Sequence, residues 1–496
     1  MTETPGRTTR MAPLVAALDG ARVLGSLPLD VSAIAHDSRR VRPGALFVAI
    51  RGERSDGHAF VADAVRAGAG AIVVDEAFAG AEDSALGVPA LVVSDTRRAL
   101  SRLAAAFFDF PARALRIAGV TGTNGKTTTT HVIRAILDAA GIATGEIGTL
   151  GARFGGAMWS LDNTTPLALE LQGLFAQLRD RGARAVAMEV SSHALALDRV
   201  ADVDFAVAAL TNVTRDHLDF HESFEAYAAA KRTLFDRAEH CVFGIDDEYG
   251  RRWSREFAAA GRPVSTYGFA EDAHVRAVDV ALGASGSTFV VDGRRFTTRL
   301  PARFNVQNAL AAIAVVRAFG VSDEVTADAL TRFERVPGRM EHFAGTGVDV
   351  LVDYAHTPDA LDAVLRAARE TSRGALAVVF GCGGDRDRGK RPQMGRIASD
   401  LADRVYVTSD NPRSEQPSAI VAEIVAGTAG AANVCAEVDR RAAIRRAIAE
   451  AAAGDVVVVA GKGHETYQIV GDVTAHFDDR DEVRAALAER EREAAR

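Results

Sequence analysis

Cysteine is scarce in this chain of 496 residues, which contains only Cys241, Cys382 and Cys435. The three residues lie far apart and form neither a metal-binding spacing nor a disulfide framework. A secreted fold held together by disulfide bonds is therefore excluded, and scattered free thiols are typical of the reducing cytoplasm. We expect a cytoplasmic protein.

Long apolar runs are also missing. The run MAPLVAAL follows Arg7 and Arg10 and so imitates the start of a signal peptide, but Asp19 ends it after eight residues and no cleavage-like site follows. No other stretch approaches the roughly 20 apolar residues of a membrane helix. The sequence therefore predicts a soluble protein without membrane insertion.

The chain has no excess of positive charge, because its formal net charge is −8 at pH 7. Binding to nucleic acids is driven by clustered lysines and arginines that neutralise phosphates. A nucleic-acid partner is therefore excluded, and any phosphate-binding site must be local.

Length and composition predict several domains. At about 150 residues per domain, the chain corresponds to about three domains, and 48% hydrophobic residues can bury several cores. We place the domain limits at 1–107, 108–342 and 343–496. The last sixteen residues, DEVRAALAEREREAAR, predict a solvated charged helix without a chemical role.

The stretch GVTGTNGKTTTT, residues 119–130, resembles a phosphate-binding loop with unusual spacing, since Val120 stands where the usual pattern has its first glycine. An apolar strand precedes it and an amphipathic helix that stops at Gly141 follows it. In this setting backbone N–H groups and Lys126 meet phosphate oxygens, and the Thr127 hydroxyl can reach Mg²⁺. The alternative is a glycine-rich turn that only connects the strand to the helix.

Strands and helices alternate after this loop, which predicts an α/β fold with a mainly parallel central sheet. The third block contains four more apolar strands, which we place at Val348–Val352, Leu376–Phe380, Val405–Val407 and Val456–Val459. They are followed by the polar loops DYAHTPD, GCGGDRDRGKR, TSDNPRSE and AGKGHETYQ. Ligands of open α/β sheets bind at the carboxyl ends of the strands, so these four loops should share one edge of a sheet.

Three further residues of the central block are candidates for chemistry. Glu189 ends an apolar strand, where a carboxylate can hold a metal ion beside nucleotide phosphates, although it could equally cap a helix or form an ion pair. His217 follows another strand as a possible ligand or a structural histidine. The composition around Lys231 indicates only a surface lysine.

The chain resembles the Mur ligases. Eight motifs occur in the order seen in that family: GVTGTNGKTTTT, MEVSSHAL, TNVTRDHLDFH, VPGRME, DYAHTPDAL, FGCGGDRDRGKRP, DNPRSE and AGKGHE. The similarity extends from Asp37 to Gln468. It implies an N-terminal α/β domain that binds UDP, a central ATPase domain and a C-terminal Rossmann-like domain that binds an amino acid.

The last four motifs look specifically like the branch of the family that adds meso-diaminopimelate to UDP-MurNAc-L-Ala-D-Glu. The resemblance implies an ATP- and Mg²⁺-dependent amide ligase of peptidoglycan synthesis, and thus a role in cell shape and division. It implies small-molecule partners only, and we expect a monomer that is open without ligands.

The resemblance also implies the site residues. Those implied to bind ATP are Gly122, Thr123, Asn124, Gly125, Lys126, Thr127, Thr128, Arg339 and Asp353. Those implied to bind the UDP-sugar dipeptide are Ser38, Glu53, Arg54, Ser55, Asn163, Thr164, Thr165, Ser191 and Arg199. Those implied to bind diaminopimelate are Arg386, Asp410, Asn411, Pro412, Arg413, Gly461 and Glu465. The implied metal ligands are Thr127, Glu189, His217 and Lys231, the last as a carbamate, and Lys126, Glu189, His217 and Lys231 are implied to be catalytic.

Two positions depart from the family pattern. Leu197 stands where many relatives have a substrate-contacting Gln, and Gly244 replaces an Asn that lies near the adenine.

Other functions stay open: a lysine-adding Mur ligase, a ligase similar to folylpolyglutamate synthase, or a P-loop ATPase that forms no bond. A switch protein needs no second small-molecule site, so the four polar loops of the third block argue against the last of these.

Overall fold

The computed structural model describes residues 8–52, 55–81, 87–283 and 285–494. Glu53 and Arg54, two of the residues implied to bind the UDP-sugar dipeptide, lie outside the described residues. The chain forms two compact units, Met1–Thr266 and Tyr267–Arg496. Among the described residues, no helix is long and apolar enough to cross a membrane.

The first unit begins with a five-stranded sheet. Its strands, in spatial order, are Arg22–Leu24, Ala90–Val93, Ala71–Asp75, Leu46–Val48 and Ile34–Ala35. The last four strands are parallel to one another, and the first is antiparallel to its neighbour. The runs AIVV and ALVV are fully buried, as expected for parallel strands covered on both faces. The helices of this part are Met11–Ala17, Val61–Arg66, Glu76–Ala81 and Thr96–Phe107, and a short strand pair joins Thr9–Arg10 to Asp30–Val31.

The larger sheet of the first unit carries the phosphate loop. Its strands, in spatial order, are Ala157–Trp159, Gly151–Phe154, Thr144–Gly148, Ala185–Glu189, Arg116–Thr121, Phe205–Leu210, Ala238–Gly244 and Val264–Gly268. The strands from Thr144–Gly148 to Ala238–Gly244 in this order are parallel, so the predicted mainly parallel sheet is confirmed. The helices are Lys126–Ala139, Ala168–Asp180, Ser192–Ala196, Leu218–His221, Phe224–Asp236 and Glu248–Ala259.

The second unit begins at the end of the strand Val264–Gly268, whose last residues pair with Val275–Arg276. A three-stranded antiparallel sheet follows, and then two helices. The strands are Val278–Gly283, Gly286–Val291 and Arg294–Thr298, and the helices are Arg303–Ala318 and Asp323–Arg332.

A six-stranded sheet forms the rest of the second unit. Its strands, in spatial order, are Glu341–Gly345, Val348–Asp353, Val456–Ala460, Leu376–Phe380, Arg404–Val407 and Val434–Ala436. The last five are parallel, so the four polar loops do follow neighbouring strands at one edge, as predicted. The helices are Pro358–Thr371, Lys390–Leu401, Pro417–Ala426, Arg440–Glu450 and Asp479–Ala494, and a hairpin pairs Tyr467–Val470 with Val473–His476.

The prediction of a solvated C-terminal helix is wrong. Helix Asp479–Ala494 buries Val483, Ala486 and Leu487 against one face of the six-stranded sheet, in the same core as Ile444. The many charged residues obscured the apolar positions 483, 486 and 487, which are three and four residues apart and so lie on one helix face. The helix is part of the fold.

Candidate active site

The phosphate loop, residues 122–125, connects strand Arg116–Thr121 to a helix that begins at Lys126. Gly122 has φ of +148°, and a Cβ atom there would overlap Thr211 Oγ1 and lie 3.1 Å from both the N and the O of Asn212. Only glycine combines this backbone conformation with such a close approach. This explains why a glycine stands at position 122.

Two residues at the end of strand Phe205–Leu210 hold the loop in place. Asn124 N donates to Asn212 Oδ1 at 3.0 Å, and Thr123 N donates to Asn212 O at 2.9 Å. The Thr211 hydroxyl donates to Asn124 O at 2.6 Å. These bonds fix the backbone of the loop, which prearranges it for a ligand.

Two lysines share one acceptor beside the loop. Lys126 Nζ and Lys231 Nζ each donate to Gly122 O at 2.9 Å, and Lys126 also donates to Thr123 O at 2.8 Å. Lys231 is 1% exposed, so the surface position that its composition suggested is wrong. Burial first, and then the charge of Lys126, lower the pKa of Lys231 well below its usual value.

Glu189 lies at the end of its strand against the start of the loop helix. Its Oε2 accepts from Thr127 Oγ1 at 3.0 Å and from Thr149 Oγ1 at 3.2 Å, and its Oε1 accepts from Thr149 N at 2.8 Å. Glu189 is buried. A carboxylate and a hydroxyl beside a phosphate loop are hard oxygen donors of the kind that suits Mg²⁺.

Whether these residues can hold Mg²⁺ depends on how many metal ligands the protein must supply. The described residues contain no group of three or more His, Cys, Asp or Glu side chains that could hold a metal ion. Mg²⁺ at phosphate sites is commonly held by one or two carboxylates together with the phosphates of the ligand. The Thr127–Glu189 pair fits that kind of site.

His217 lies in an aromatic group next to the same loop. Its ring centroid is 4.8 Å from that of His193 and 6.3 Å from that of Tyr227. The Tyr227 hydroxyl is 3.0 Å from Thr123 Oγ1, and Lys231 Nζ lies 4.3 Å from the Tyr227 ring centroid. Tyr227 thus connects His217 with Lys231 and the phosphate loop.

A cavity of about 390 Å³ opens elsewhere in the first unit. Ser55, Leu197 and Arg199 are among its lining residues, together with Arg97 and Leu100. It therefore combines apolar walls with two arginines and the carboxylate Asp198, and Leu197, which departs from the family pattern, adds to its apolar surface. Such a cavity is large enough for a small-molecule ligand.

Hydrogen bonds connect this cavity to Glu189. Arg199 Nη1 donates to Thr165 O at 3.0 Å, and the Thr165 hydroxyl donates to Glu189 O at 2.9 Å. Ser191 N donates to Thr165 Oγ1 at 3.0 Å, and Thr164 Oγ1 lies 3.1 Å from Thr149 Oγ1. Three of the implied dipeptide-binding residues are thus connected to the backbone of Glu189, and Thr164 is connected to its carboxylate through Thr149.

Two other implied residues are placed less closely. Ser38 begins a short 3-10 helix, Ser38–Arg40, and is not among the cavity-lining residues. Asn163 precedes Thr164 in a partly exposed segment.

Gly244 ends strand Ala238–Gly244, and its carbonyl oxygen lies against Gly250 so closely that a side chain on Gly250 would overlap it.

In the second unit, Arg339 and Asp353 lie together. Asp353 ends its strand and accepts from Met340 N and Ala355 N, each at 2.8 Å. Burial raises the pKa of Asp353, and the charge of Arg339 opposes this effect. The Arg339 guanidinium lies 4.6 Å from the Tyr354 ring centroid.

The loops that follow strands Arg404–Val407 and Val456–Ala460 contribute a buried polar cluster. Asn411 Nδ2 donates to Glu465 Oε2 at 2.8 Å, and Lys462 Nζ donates to Asn411 Oδ1 at 3.1 Å. A Cβ atom on Gly461 would lie 2.6 Å from Asp410 Oδ2. Burial raises the pKa of Glu465; Lys462 opposes this rise and Asp410 adds to it.

Two arginines flank the same cluster. Arg413 has φ of +52°, and its Nη1 donates to Gly384 O at 2.9 Å. A Cβ atom on Gly383 would lie 2.9 Å from Arg413 Nη1 and 3.8 Å from Arg386 Cγ, which places both arginines beside Gly383. Pro412 is buried. The loops at one sheet edge therefore carry both carboxylates and cations.

Several residues of these sites were missed from the sequence. Thr149, Thr211, Asn212 and Tyr227 shape the phosphate site, and Lys462 organises the second cluster. Strand-end position was an available signal for Thr211, Asn212 and Lys462, which lie within quoted motifs. No local pattern marks Thr149 or Tyr227, because their role depends on contacts with distant parts of the chain.

A phosphate loop between a parallel strand and a helix, with a carboxylate at the neighbouring strand end, defines a nucleotide-binding enzyme of the P-loop class. Three family models match the chain: "Mur ligase family, catalytic domain" over residues 30–108, "Mur ligase middle domain" over 120–316, and "Mur ligase, glutamate ligase domain" over 338–463. The chain belongs to the Mur ligase family, whose fold has three domains with mixed α/β sheets, and it is an ATP-dependent ligase.

Two similar proteins and one similar solved structure carry the same name. A UDP-N-acetylmuramoyl-L-alanyl-D-glutamate--2,6-diaminopimelate ligase of Gloeobacter violaceus is 48% identical over 93% of this chain and 95% of its own length. The protein of that name from Syntrophomonas wolfei is 45% identical over 92% and 94%. A solved structure of a ligase with this name has 34% identity and a TM-score of 0.67, and the match covers 93% of this chain and 96% of that one.

Proposed function

We propose that this protein joins meso-diaminopimelate to UDP-MurNAc-L-Ala-D-Glu with the consumption of ATP, which is the MurE reaction of peptidoglycan precursor synthesis. The observation that carries this proposal is the sheet edge of the second unit, whose loops carry the carboxylates Asp410 and Glu465 and, beside Gly383, the cations Arg413 and Arg386. Diaminopimelate has an ammonium and a carboxylate at each end, so its binding requires partners of both charges. The names of the similar proteins support the same reaction.

The reaction proceeds through an activated carboxylate. An oxygen of the D-glutamate side-chain carboxylate attacks the γ-phosphorus of ATP, and ADP leaves with the bonding electron pair. The amine of diaminopimelate then attacks the acyl phosphate carbon, loses a proton and displaces inorganic phosphate, which leaves an amide. Catalysis of such transfers consists mainly of positioning and charge stabilisation.

The protein groups for the first step lie around the phosphate loop. Lys126 and the loop N–H groups are proposed to hold the phosphates of ATP, with Gly122 to Thr128 as the binding segment and Arg339 and Asp353 as further ATP contacts. Thr127, Glu189, His217 and Lys231 as a carbamate are proposed to hold Mg²⁺. The ion would supply positive charge that offsets the charge developing on the phosphoryl oxygens.

The cavity of the first unit is proposed to receive the UDP-sugar dipeptide. Arg199 supplies a cation at its wall, and Thr165 connects it to the backbone of Glu189. The remaining proposed contacts are Ser38, Glu53, Arg54, Ser55, Asn163, Thr164 and Ser191. We further propose that the enzyme is a cytoplasmic monomer with domains 1–107, 108–342 and 343–496.

Substrate-dependent ADP formation tests this function. The wild-type protein should form ADP at a substantial rate only when the UDP-dipeptide and meso-diaminopimelate are both present. Lys126→Ala should lower this rate by about a hundredfold to a thousandfold, the usual effect of removing one charge-stabilising donor, while the melting temperature stays near that of wild type. Rapid ADP formation without either acceptor, or normal turnover by a folded Lys126→Ala variant, would contradict the proposal.

A further inference from the structure

An ion pair between Arg440 and Asp479 is buried beneath the cluster of Asp410, Asn411 and Glu465. Both side chains are 0% exposed, and Arg440 Nε and Nη2 donate to the two Asp479 carboxylate oxygens at 2.7 and 2.6 Å. The two residues begin the helices Arg440–Glu450 and Asp479–Ala494. Burying two charges costs free energy that their attraction hardly exceeds, so this pair is a weak source of stability in itself.

The guanidinium of Arg440 also binds two backbone carbonyls. Its Nη2 donates to Ala460 O at 2.9 Å, and its Nη1 donates to Ser409 O at 3.3 Å. Ser409 directly precedes Asp410, and Ala460 directly precedes Gly461. One side chain therefore connects the starting points of the two loops that carry the candidate amino-acid ligands.

Backbone hydrogen bonds join these two loops farther along the chain, where Arg413 N donates to Ile469 O at 3.0 Å and Gly471 N donates to Arg413 O at 2.7 Å. Strand Leu376–Phe380 lies between strand Arg404–Val407, which precedes Ser409, and strand Val456–Ala460, which ends at Ala460. Its pairing ends at Phe380↔Val407 on one side and at Val379↔Val459 on the other. At the starting points of the two loops, beyond these pairs, the planar guanidinium of Arg440 spans Ser409 O and Ala460 O directly.

The spacing of these loops leaves little tolerance. A Cβ atom on Gly461 would lie only 2.6 Å from Asp410 Oδ2, so the backbone of one loop is in close contact with the carboxylate of the other. The surroundings of Arg440 raise its pKa. Burial lowers it, but Asp479 raises it, and the charges of Asp410 and Glu465 raise it further. Arg440 thus lies within electrostatic reach of both candidate carboxylates.

We propose that Arg440, held by Asp479, is a positioning residue that fixes the spacing of the Asp410 and Gly461 loops and so sets the affinity for the amino-acid substrate. This inference rests on the function proposed above, because it takes diaminopimelate as that substrate. Arg440 does not itself contact the substrate, since the two loops cover it.

Two variants test the inference. Arg440→Lys keeps a positive charge beside Asp479 but lacks the planar fork that reaches two carbonyls. The double variant Arg440→Met/Asp479→Leu removes both charges, an exchange that buried ion pairs often tolerate without loss of stability. We expect each variant to raise the KM for meso-diaminopimelate by about tenfold to a hundredfold, the effect of a small displacement of binding groups. The KM values for ATP and the UDP-dipeptide should change by less than about twofold.

Arg490→Met is the matched control. Arg490 lies on the same helix as Asp479 and makes bonds of the same kind, since its Nε donates to Thr346 Oγ1 at 2.7 Å and its Nη1 donates to Ile448 O at 2.9 Å. Thr346 precedes strand Val348–Asp353, so these bonds lie at the opposite end of the sheet from the candidate site. This variant should lower the melting temperature without raising the KM for diaminopimelate.

The outcomes separate the inference from the proposed function. Wild-type protein that does not use meso-diaminopimelate contradicts the proposed function. With an active wild type, an unchanged KM for diaminopimelate in the folded variants overturns the positioning role. A parallel rise in all three KM values, or an equal rise in Arg490→Met, overturns it too. If the double variant fails to fold by circular dichroism, Arg440→Lys, which keeps the charge pair, decides the question.

Discussion

At the scale of single residues, the carbonyl oxygen of Gly122 accepts hydrogen bonds from both Lys126 and Lys231. Burial of Lys231 lowers its pKa, and repulsion by the nearby charge of Lys126 lowers it further. A neutral amine is the form that reacts with CO₂. The lowered pKa therefore favours carbamylation of Lys231, which would replace a positive charge with oxygens that Mg²⁺ prefers.

We predict that Lys231 carries a carbamate in the active enzyme. Protein equilibrated with ¹³C-bicarbonate should show a carbamate carbon signal by NMR that is absent from Lys231→Ala. Activity should fall when CO₂ is removed and should recover when bicarbonate is returned. The same signal in Lys231→Ala, or full activity of that variant, would rule the modification out.

Arg413 is predicted to select diaminopimelate over lysine, which lacks one carboxylate at the far end. The planar arginine fork can donate two parallel hydrogen bonds to that carboxylate. Truncating one partner of a buried charged pair costs about 2 to 5 kcal/mol, or roughly 30-fold to several thousand-fold in specificity. Arg413→Ala should lose this preference chiefly through a lower kcat/KM for meso-diaminopimelate. An unchanged ratio of the two kcat/KM values would contradict the assignment.

At the scale of elements, strands with continuous apolar runs could be predicted from the sequence with accuracy. Leu376–Phe380 was predicted with its observed limits, and the predicted Val456–Val459 extends by one residue to Ala460. Each run is followed by a polar loop, so the order of motifs also located the candidate ligand loops. The phosphate loop, between its strand and helix, was recognisable for the same reason.

Other features could not be predicted because they depend on contacts between distant segments. The surroundings of Lys231 in sequence resemble a surface helix, yet its side chain points to Gly122, more than a hundred residues away in the chain. The ion pair between Arg440 and Asp479 likewise joins the first residues of two charged helices that lie in different parts of the sequence. Tertiary packing overrides composition at such positions.

A buried charge cluster connects the helix of the phosphate loop to its sheet. His131 Nδ1 lies 2.5 Å from Glu146 Oε1, and Arg134 Nε and Arg153 Nε each donate to Glu146 Oε2 at 2.8 Å. Burial alone would raise the pKa of Glu146, but His131 and the two arginines outweigh burial and the pKa is lowered. Glu146 therefore stabilises the fold above its unfolded pKa of 4.5, and this contribution is lost as the pH falls through the lower folded-state pKa.

Glu146→Gln should destabilise the protein at pH 7 by about 3 kcal/mol, the low end of the range for a broken buried pair, because the arginines reach solvent. Its free energy of unfolding should also decline less steeply below pH 4.5 than that of wild type. Asp180→Asn serves as control, since Asp180 forms an exposed pair with Arg179 and should cost less than about 1 kcal/mol. Equal acid sensitivity of Glu146→Gln and wild type in urea titrations would refute the role of this cluster.

Gly122→Ala tests the shape of the phosphate loop. The new methyl group would overlap Thr211 Oγ1 at a positive φ. We therefore expect the free energy of unfolding to fall by about 3 kcal/mol. Calorimetry should detect no binding of ADP. Gly141→Ala has a positive φ too, but nothing lies within 4 Å of the added carbon, so it should cost about 1 kcal/mol and leave ADP binding intact. Similar effects of the two substitutions would mean that the contact with Thr211 is unimportant.

At the scale of the whole molecule, most of the groups proposed for the two halves of the reaction lie in different units. The phosphate loop, Glu189 and the cavity lie in the first unit, whereas Asp410, Arg413 and Glu465 lie in the second. Activation of a carboxylate and capture of an amine are separate tasks, and neither alone forms an amide. We therefore expect product only when all three substrates are supplied to the complete chain.

The most direct test of the central claim is a competition in one tube. Wild-type protein would receive ATP, Mg²⁺, UDP-MurNAc-L-Ala-D-Glu, and equal amounts of meso-diaminopimelate and L-lysine, and the products would be identified by mass spectrometry at early times. We predict that the UDP-tripeptide carries diaminopimelate almost exclusively. A product that carries mainly lysine, or ADP formation without any tripeptide, would contradict the account.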